Sequence, residues 1–148
     1  MAAWPRSRNT RTLRSLNILL VEDDDVDVMN VRRAFRQVHI LNPLFVASDG
    51  VDALSMLRSG AVPSERRLVL LDLNMPRMNG IELLRELRSD PSLHATPVVV
   101  LTTSDDERDR IEAYNLHVAG YLVKPVTFAS FCELMVTLNT YWMLVELP

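Results

Sequence analysis

The sequence predicts one α/β domain built on a parallel β-sheet with helices on both faces. Five short apolar runs of strand length alternate along the 148 residues with stretches whose apolar residues recur at helical spacing. A repeated strand–helix order requires crossover connections, which are right-handed and give a parallel sheet. The run at residues 68–71 is uninterrupted, as expected for a central strand buried on both faces.

Each element is indicated by its own local pattern. Strands are expected at residues 17–21, 43–47, 68–71, 97–101 and 120–123. The first helix carries one apolar stripe, formed by Val28, Val31, Phe35 and Val38. The second helix is expected to end at Gly60, a residue that readily adopts the left-handed conformation of a helix C-terminus.

The three remaining helices have equally clear signals. One is expected from about Gly80, with Ile81, Leu84 and Leu87 on its inner side, and Asp90-Pro91 ends it. The segment 104–107 has the form of a capping box, which predicts a helix start there with Ile111 and Tyr114 facing inward. The last helix is expected from near Phe128 to at least Tyr141.

Composition narrows the compartment and the partners. The lone Cys132 excludes an internal disulfide framework and fits a reducing, cytoplasmic location, and no signal peptide or membrane span is visible. The net charge is −3, but residues 1–15 form a basic segment without acids, which predicts a flexible arm. The acidic remainder argues against nucleic acid as a direct partner. The arm's arginines are Arg6, Arg8, Arg11 and Arg14.

Four of the five predicted strands end in reactive or polar side chains. Parallel strands share a direction, so these ends lie along one sheet edge, where open α/β sheets bind their ligands. Carboxylate oxygens without histidine or thiol partners suit Mg²⁺. Asp72, on the central strand, is the expected nucleophile for an acyl phosphate. The converging residues are Glu22, Asp23, Asp72, Thr102 and Lys124.

Lys124 stands out within this chain. All but one of its 16 basic residues are arginine, and Lys124 is the exception. An ammonium is a compact point charge, whereas a guanidinium is a planar fork. The single lysine at a strand end therefore indicates a narrow site for one cation. The alternative is a chance lysine on a loop.

Several motifs in register now resemble the receiver domain of two-component response regulators. The resemblance spans residues 16–140 and implies a flavodoxin-like doubly wound sheet of five parallel strands in the order 2-1-3-4-5 with five helices. It also implies a cis peptide bond between Lys124 and Pro125. The motifs are Leu20-Val-Glu22-Asp23-Asp24, Leu71-Asp72-Leu-Asn74-Met-Pro76-Arg-Met-Asn-Gly80, Pro97 with Thr102, and Gly120-Tyr121-Leu-Val-Lys124-Pro125.

The same resemblance implies a role for each site residue. Asp72 becomes the phosphoacceptor for a sensor histidine kinase, and Thr102 and Lys124 bind the phosphoryl oxygens. Asp23, Asp72 and the backbone carbonyl of Asn74 become direct Mg²⁺ ligands, with Glu22 acting through a water. Tyr121 becomes an aromatic switch that turns inward when Thr102 moves.

Two departures and one subfamily likeness accompany the match. Glu22 replaces a more usual aspartate, and its extra methylene still reaches a metal-bound water. Thr103 stands where a smaller residue is common, which could narrow access to the phosphoryl group. Three features resemble stand-alone receivers of bacterial phytochromes: the long loop before the central strand, the text of residues 101–107 and the closing residues 141–148. A bacteriophytochrome is therefore the expected kinase, and no output domain is expected after the last helix.

Other functions are alternatives to a phosphorylatable signalling protein. A phosphate sink or phosphorelay shuttle would use the same residues. A phosphatase of the haloacid dehalogenase type also forms an aspartyl phosphate, but its second acid would stand where this chain has Asn74. A degenerate receiver acting only as a binding module would lack the acceptor, the acid pair or the lysine, and all are present. The chain is therefore predicted not to be an enzyme acting on other molecules.

The last helix and tail predict a homodimer. A coiled-coil-like seam and an apolar tail at residues 141–148 leave more apolar surface than a monomer usually exposes. The alternative is a tail folded back on its own subunit. The acids Asp24, Asp25 and Asp27 are expected to start the first helix and not to act as ligands. The seam consists of Phe128, Phe131, Met135, Leu138, Trp142 and Val145.

Overall fold

The computed structural model describes residues 15–148, a five-stranded parallel sheet flanked by five helices. The strand order is β2-β1-β3-β4-β5, which confirms the predicted flavodoxin-like topology. The basic segment and its arginines fall outside the described residues, apart from Ser15. In chain order the elements are β1 (Asn17–Val21), α1 (Asp25–Gln37), β2 (Leu44–Ala47), α2 (Gly50–Ser59), β3 (Arg67–Leu71), α3 (Gly80–Ser89), β4 (Val98–Thr102), α4 (Glu107–Asn115), β5 (Gly120–Val123) and α5 (Phe128–Leu144).

Two apolar cores lie on opposite faces of the sheet. Successive strand residues point to opposite faces, so Leu19 and Val21 of β1 join one core and Ile18 and Leu20 join the other. Helices α2, α3 and α4 cover the first core, and α1 and α5 cover the second. The central strand β3 is buried along its whole length, as its apolar sequence predicts. Within residues 15–148, no helix is long and apolar enough to cross a membrane.

Side chains at the helix N-termini hold the connecting loops at the carboxyl edge of the sheet. Asp24 accepts hydrogen bonds from the first turn of α1, and Asp49 accepts one from Asp52 N–H at the start of α2. Asn79 and Glu82 form a reciprocal capping box at α3. Each cap satisfies backbone donors that a helix start leaves unpaired.

The start of α4 differs from the prediction. Asp106 caps this helix, and the Ser104 hydroxyl instead donates to Asp109 Oδ2 at 2.6 Å. Ile111 and Tyr114 do not face inward, since they are 54% and 50% exposed. The short helix packs on the sheet through the small Ala113, which leaves the two large side chains on the outer face.

The predicted cis peptide bond is also wrong. Within the described chain no peptide bond is cis, so Lys124–Pro125 is trans. Trans is the favoured isomer even before proline. In this trans geometry Lys124 N–H donates to Thr102 O at 2.8 Å, and the lysine side chain still reaches the acidic residues described below.

The last helix uses its apolar seam within the subunit. Phe131, Met135 and Trp142 are buried against the α1 side of the sheet, and the other seam residues pack onto the same core. The tail folds back as well, because Arg66 donates to Trp142 O and Val145 O at 3.2 Å. The packing thus matches the alternative of a tail folded onto its own subunit.

Candidate functional site

The carboxyl edge of the sheet brings the predicted residues to one place. Asp72 directly follows β3, and Glu22 and Asp23 follow the neighbouring β1. Thr102 ends β4 on the other side of β3, and Lys124 follows β5. Strands β1 and β3 pair in parallel with Val21 beside Leu71, so the acids that follow the two strands lie at the same height along the strand direction.

Three carboxylates form the centre of this edge. Glu22, Asp23 and Asp72 each place an oxygen within 4.8 Å of the others, although Glu22 and Asp72 are buried and only Asp23 is exposed. Burial raises the pKa of Glu22 to about 8, Lys124 partly offsets this, and the neighbouring Asp72 adds to the rise. The cluster therefore favours a cation that would compensate its negative charge.

Lys124 enters the cluster from β5. Its ammonium nitrogen lies 2.5 Å from Glu22 Oε1, 2.9 Å from Asp27 Oδ2 and 4.0 Å from Asp72 Oδ2. Burial alone would lower the pKa of Lys124, but the hydrogen bonds to Glu22 and Asp27 outweigh it and the net shift is upward. The lysine thus stays charged within reach of the expected acceptor.

The loop between Asp72 and α3 is held from two sides. Gly80 N–H donates to Leu73 O at 3.0 Å, and a Cβ on Gly80 would lie 2.6 Å from Asp72 O, so only glycine allows this close approach. Arg77, with a φ of 61°, donates to the buried Asp49 carboxylate at 2.5 Å. Helix α2 therefore anchors the segment that carries Asn74.

Thr102 and Tyr121 meet through the loop after β4. Thr102 is fully buried, and its hydroxyl accepts a hydrogen bond from Ser104 N–H at 3.2 Å. The hydroxyl of the half-buried Tyr121 donates to Ser104 O at 2.9 Å. Both predicted switch residues thus contact the same residue, which gives a physical link between the site and β5.

Two cavities open beside the acids. One of about 350 Å³ is lined by Asp23 and Asn74 together with the start of the α3 loop. The other, of about 400 Å³, lies between α1 and the loop after β5 and is lined by Asp27, Lys124 and the exposed Thr103. Small ligands and solvent therefore reach the cluster from both sides.

Asp27 is the one residue of the cluster that the sequence prediction treated only as a helix-start acid. It belongs to the first turn of α1, as expected, but its side chain also bonds Lys124. The only available signal in the sequence was its position five residues beyond Glu22, just after the acidic strand end. That signal is weak, because acids are common in the first turn of helices.

The donor set fits a hard divalent cation. The carboxylate oxygens of Glu22, Asp23 and Asp72 converge without a histidine or thiol, which suits Mg²⁺ or Mn²⁺. An acidic cluster, a buried threonine and a lysine at this edge of a doubly wound α/β sheet are groups that can together bind a divalent metal and a phosphoryl group.

Comparison with known proteins gives the family. The model of the response regulator receiver domain matches residues 18–135. This chain belongs to that family, as its motifs predict. Receiver domains bind Mg²⁺ or Mn²⁺ at an acidic pocket, and this chain has such a cluster.

Two relatives illustrate the match. The probable methanogenesis regulatory protein FilR2 of Methanothrix harundinacea is 39% identical over 128 residues, covering 85% of this chain and 83% of that protein. Response regulator Rcp1 of Synechocystis is 38% identical over 135 residues, covering 88% and 92%. The chain is thus a receiver related both to phytochrome response regulators and to a probable methanogenesis regulatory protein.

Solved structures agree with the fold. The phosphorylated cyanobacterial phytochrome response regulator RcpA has a TM-score of 0.82 at 34% identity, with 91% of this chain and 99% of that chain covered. A Mn²⁺-bound form of Rcp1 has a TM-score of 0.76 at 38% identity, with 88% and 97% covered. The likeness to phytochrome response regulators predicted from the sequence is confirmed.

Proposed function

We propose that this chain accepts a phosphoryl group on Asp72 from a sensor histidine kinase. The single observation that carries the proposal is the juxtaposition of a largely buried carboxylate on the central strand with two further acids and the Lys124 ammonium. The transfer forms a bond between phosphorus and Asp72 Oδ and breaks the bond between phosphorus and the kinase imidazole nitrogen. The imidazole keeps the electron pair and takes up a proton.

Mg²⁺ completes this proposal. Asp23, Asp72 and the Asn74 carbonyl would hold the ion directly and Glu22 through a water, a set of oxygen ligands that Mg²⁺ prefers. When bound, the ion neutralises charge on the transferring phosphoryl group. The protein's own residues supply the rest: Thr102 and Lys124 bind the phosphoryl oxygens, and the anchored α3 loop fixes Asn74 beside the acids. The Mn²⁺-bound form of Rcp1 supports a metal at this position.

A phytochrome kinase is the partner that we propose. Support comes from the relatives, which include phytochrome response regulators from cyanobacteria. We propose that the two proteins meet in the cytoplasm. The link from Thr102 through Ser104 to Tyr121 supports Tyr121 as the switch that reports phosphorylation. A phosphatase acting on other molecules is not favoured, because the Asn74 amide cannot serve as its general acid or base.

Pairing of two copies through the last helix and tail also belongs to the proposal. The buried seam is not available for it, so the contact would use the outer residues Val136, Tyr141 and Leu144, which are 43%, 61% and 64% exposed. Sedimentation of the full chain and of Tyr141→Ser/Leu144→Ser at micromolar concentration tests this. A dimer lost in the variant supports it, whereas a monomer in both samples contradicts it.

The experiment for the central proposal is phosphorylation with labelled acetyl phosphate and with candidate kinases, phytochrome kinases first. Asp72→Asn should lose the label while its thermal unfolding stays cooperative, since only the nucleophile changes. Asp23→Ala should lose most of it, as should the wild type in excess chelator. Full labelling of Asp72→Asn at another acid would overturn the assignment of the acceptor.

A further inference from the structure

Asp27 has a second role that its position in α1 does not require. Asp24 already caps the helix by accepting hydrogen bonds from Val26 N–H and Asp27 N–H, and Asp25 supplies the same first-turn charge. The Asp27 carboxylate instead crosses to β5 and accepts a hydrogen bond from the Lys124 ammonium at 2.9 Å. The helix start is therefore complete without this side chain, and its bond to the lysine needs another explanation.

The lysine is held away from the expected acceptor. Its nitrogen hydrogen-bonds Glu22 and Asp27 but lies 4.0 Å from Asp72 Oδ2, beyond hydrogen-bonding distance. The lysine side chain is only 13% exposed, so its donors have little access to water. An ammonium has three donors and no acceptor, and every partner it holds on the α1 side reduces its availability to Asp72.

We propose that Asp27 is a positioning residue that retains the Lys124 ammonium on the α1 side of the site and yields it when a phosphoryl group is on Asp72. This inference rests on the proposed function. A phosphoryl group carries nearly two negative charges and three acceptor oxygens, whereas Asp27 offers one carboxylate whose side chain is 35% exposed. The Lys124 ammonium therefore binds the phosphoryl group in preference to Asp27, but competition from Asp27 weakens the binding of the phosphoryl group.

The matched control is Asp25. It lies in the same turn of α1, is exposed, and bonds no ammonium among the described residues. Asp25→Asn removes the same charge from the same helix end without touching Lys124. Asp27→Glu keeps the carboxylate, so it should behave like the wild type if the lysine contact is what matters. An effect of net charge alone would appear equally in both asparagine variants.

The first measurement uses the single lysine of the chain. Full-length protein labelled with ¹³C,¹⁵N-lysine gives one side-chain signal, which belongs to Lys124. Without metal or phosphate, Asp27→Asn should shift that signal, and Asp25→Asn and Asp27→Glu should leave it near its wild-type position. A signal that moves no more in Asp27→Asn than in Asp25→Asn overturns the inference, whether or not Asp72 is ever phosphorylated.

The second measurement is a titration with beryllofluoride and Mg²⁺, a stable mimic of the phosphoryl group. Asp27→Asn should bind it about two- to fivefold more tightly than the wild type, the range expected for losing one partly exposed ionic competitor. Asp25→Asn and Asp27→Glu should not. Equal affinities in the wild type and Asp27→Asn overturn this inference alone. If the wild type does not bind beryllofluoride, the proposed function is refuted, and so is the proposal that Asp27 yields Lys124 to a phosphoryl group.

Discussion

Replacing Arg77 tests how α2 fixes the loop that follows Asp72. Arg77 donates to a single oxygen of Asp49 at 2.5 Å, and its side chain is 61% exposed while that of Asp49 is 5% exposed. Exposed ion pairs contribute about 0.2–1 kcal/mol, and the buried carboxylate left behind in Arg77→Ala places the loss near the upper end. We therefore expect Arg77→Ala to lower the free energy of unfolding by about 1 kcal/mol.

The backbone of Arg77 allows a sharper comparison. Its φ of 61° is left-handed, which costs a residue with a Cβ roughly 1–2 kcal/mol and glycine almost nothing. Arg77→Gly loses the same ion pair as Arg77→Ala but relieves this strain. It should therefore be about 1 kcal/mol more stable than the alanine variant and close to the wild type.

Urea unfolding of the three proteins measures both differences. The control is Arg58→Ala, which removes an exposed ion pair with Asp90 at 3.2 Å and should lower the free energy of unfolding by less than Arg77→Ala does. An Arg77→Ala variant as stable as the wild type would refute the ion pair as an anchor. A glycine variant less stable than the alanine variant would refute the strain argument.

Three other changes have defined outcomes. Gly80→Ala should lower the free energy of unfolding by about 1–3 kcal/mol in urea, because its Cβ would meet Asp72 O at 2.6 Å; unchanged stability would contradict the close approach. The pKa of Asp49 is lowered, chiefly by the hydrogen bond that it accepts from Asp52 N–H, so the Asp49 carboxylate stabilises the fold above about pH 4 and this stabilisation fades as the pH falls. In urea unfolding between pH 5 and 2, Asp49→Asn should therefore lose less of its free energy of unfolding than the wild type does. Truncation after Thr140 removes the buried Trp142 and should lower the free energy of unfolding by at least about 3 kcal/mol. A truncated chain that becomes monomeric but keeps the stability of the full chain would instead indicate that the tail serves only a dimer.

The sequence predicted the fold and the position of the site because both depend on patterns of short range. Apolar runs and helical stripes define the strands and helices, and parallel strands bring their ends to one edge. The carboxylate oxygens of Glu22, Asp23 and Asp72 lie within 4.8 Å of one another because the strands that precede them are parallel and adjacent. Their roles in phosphoryl transfer remain predictions that the experiments above test.

What the sequence did not predict concerns side chains whose partners the local pattern does not identify. Asp27 looked like any acid of a first turn, and its bond to Lys124 spans 97 residues. Residues 104–107 match the capping-box pattern, but the Ser104 side chain bonds Asp109 and Asp106 is the residue that caps the helix. In the last helix the apolar seam could pack against a partner or against the subunit's own sheet, and Met135 and Trp142 pack against the sheet. Periodicity alone cannot decide between such partners.

The two sides of the site differ in how firmly they are held, and this difference bears on signalling. On the α3 side the segment after Asp72 is held by the Gly80 contact and by the Arg77–Asp49 pair, both of which would have to break for it to move. On the other side, the Lys124 ammonium is held by hydrogen bonds to Glu22 and Asp27, and the Thr102 hydroxyl accepts one from Ser104 N–H; none of these partners is the acceptor itself. New negative charge on Asp72 would attract both of these donors. The least costly response is therefore a movement of Lys124 and of the loop after β4, and since Ser104 joins that loop to the Tyr121 hydroxyl, the displacement would reach the exposed α4 and β5 surface before it reached α2 or α3.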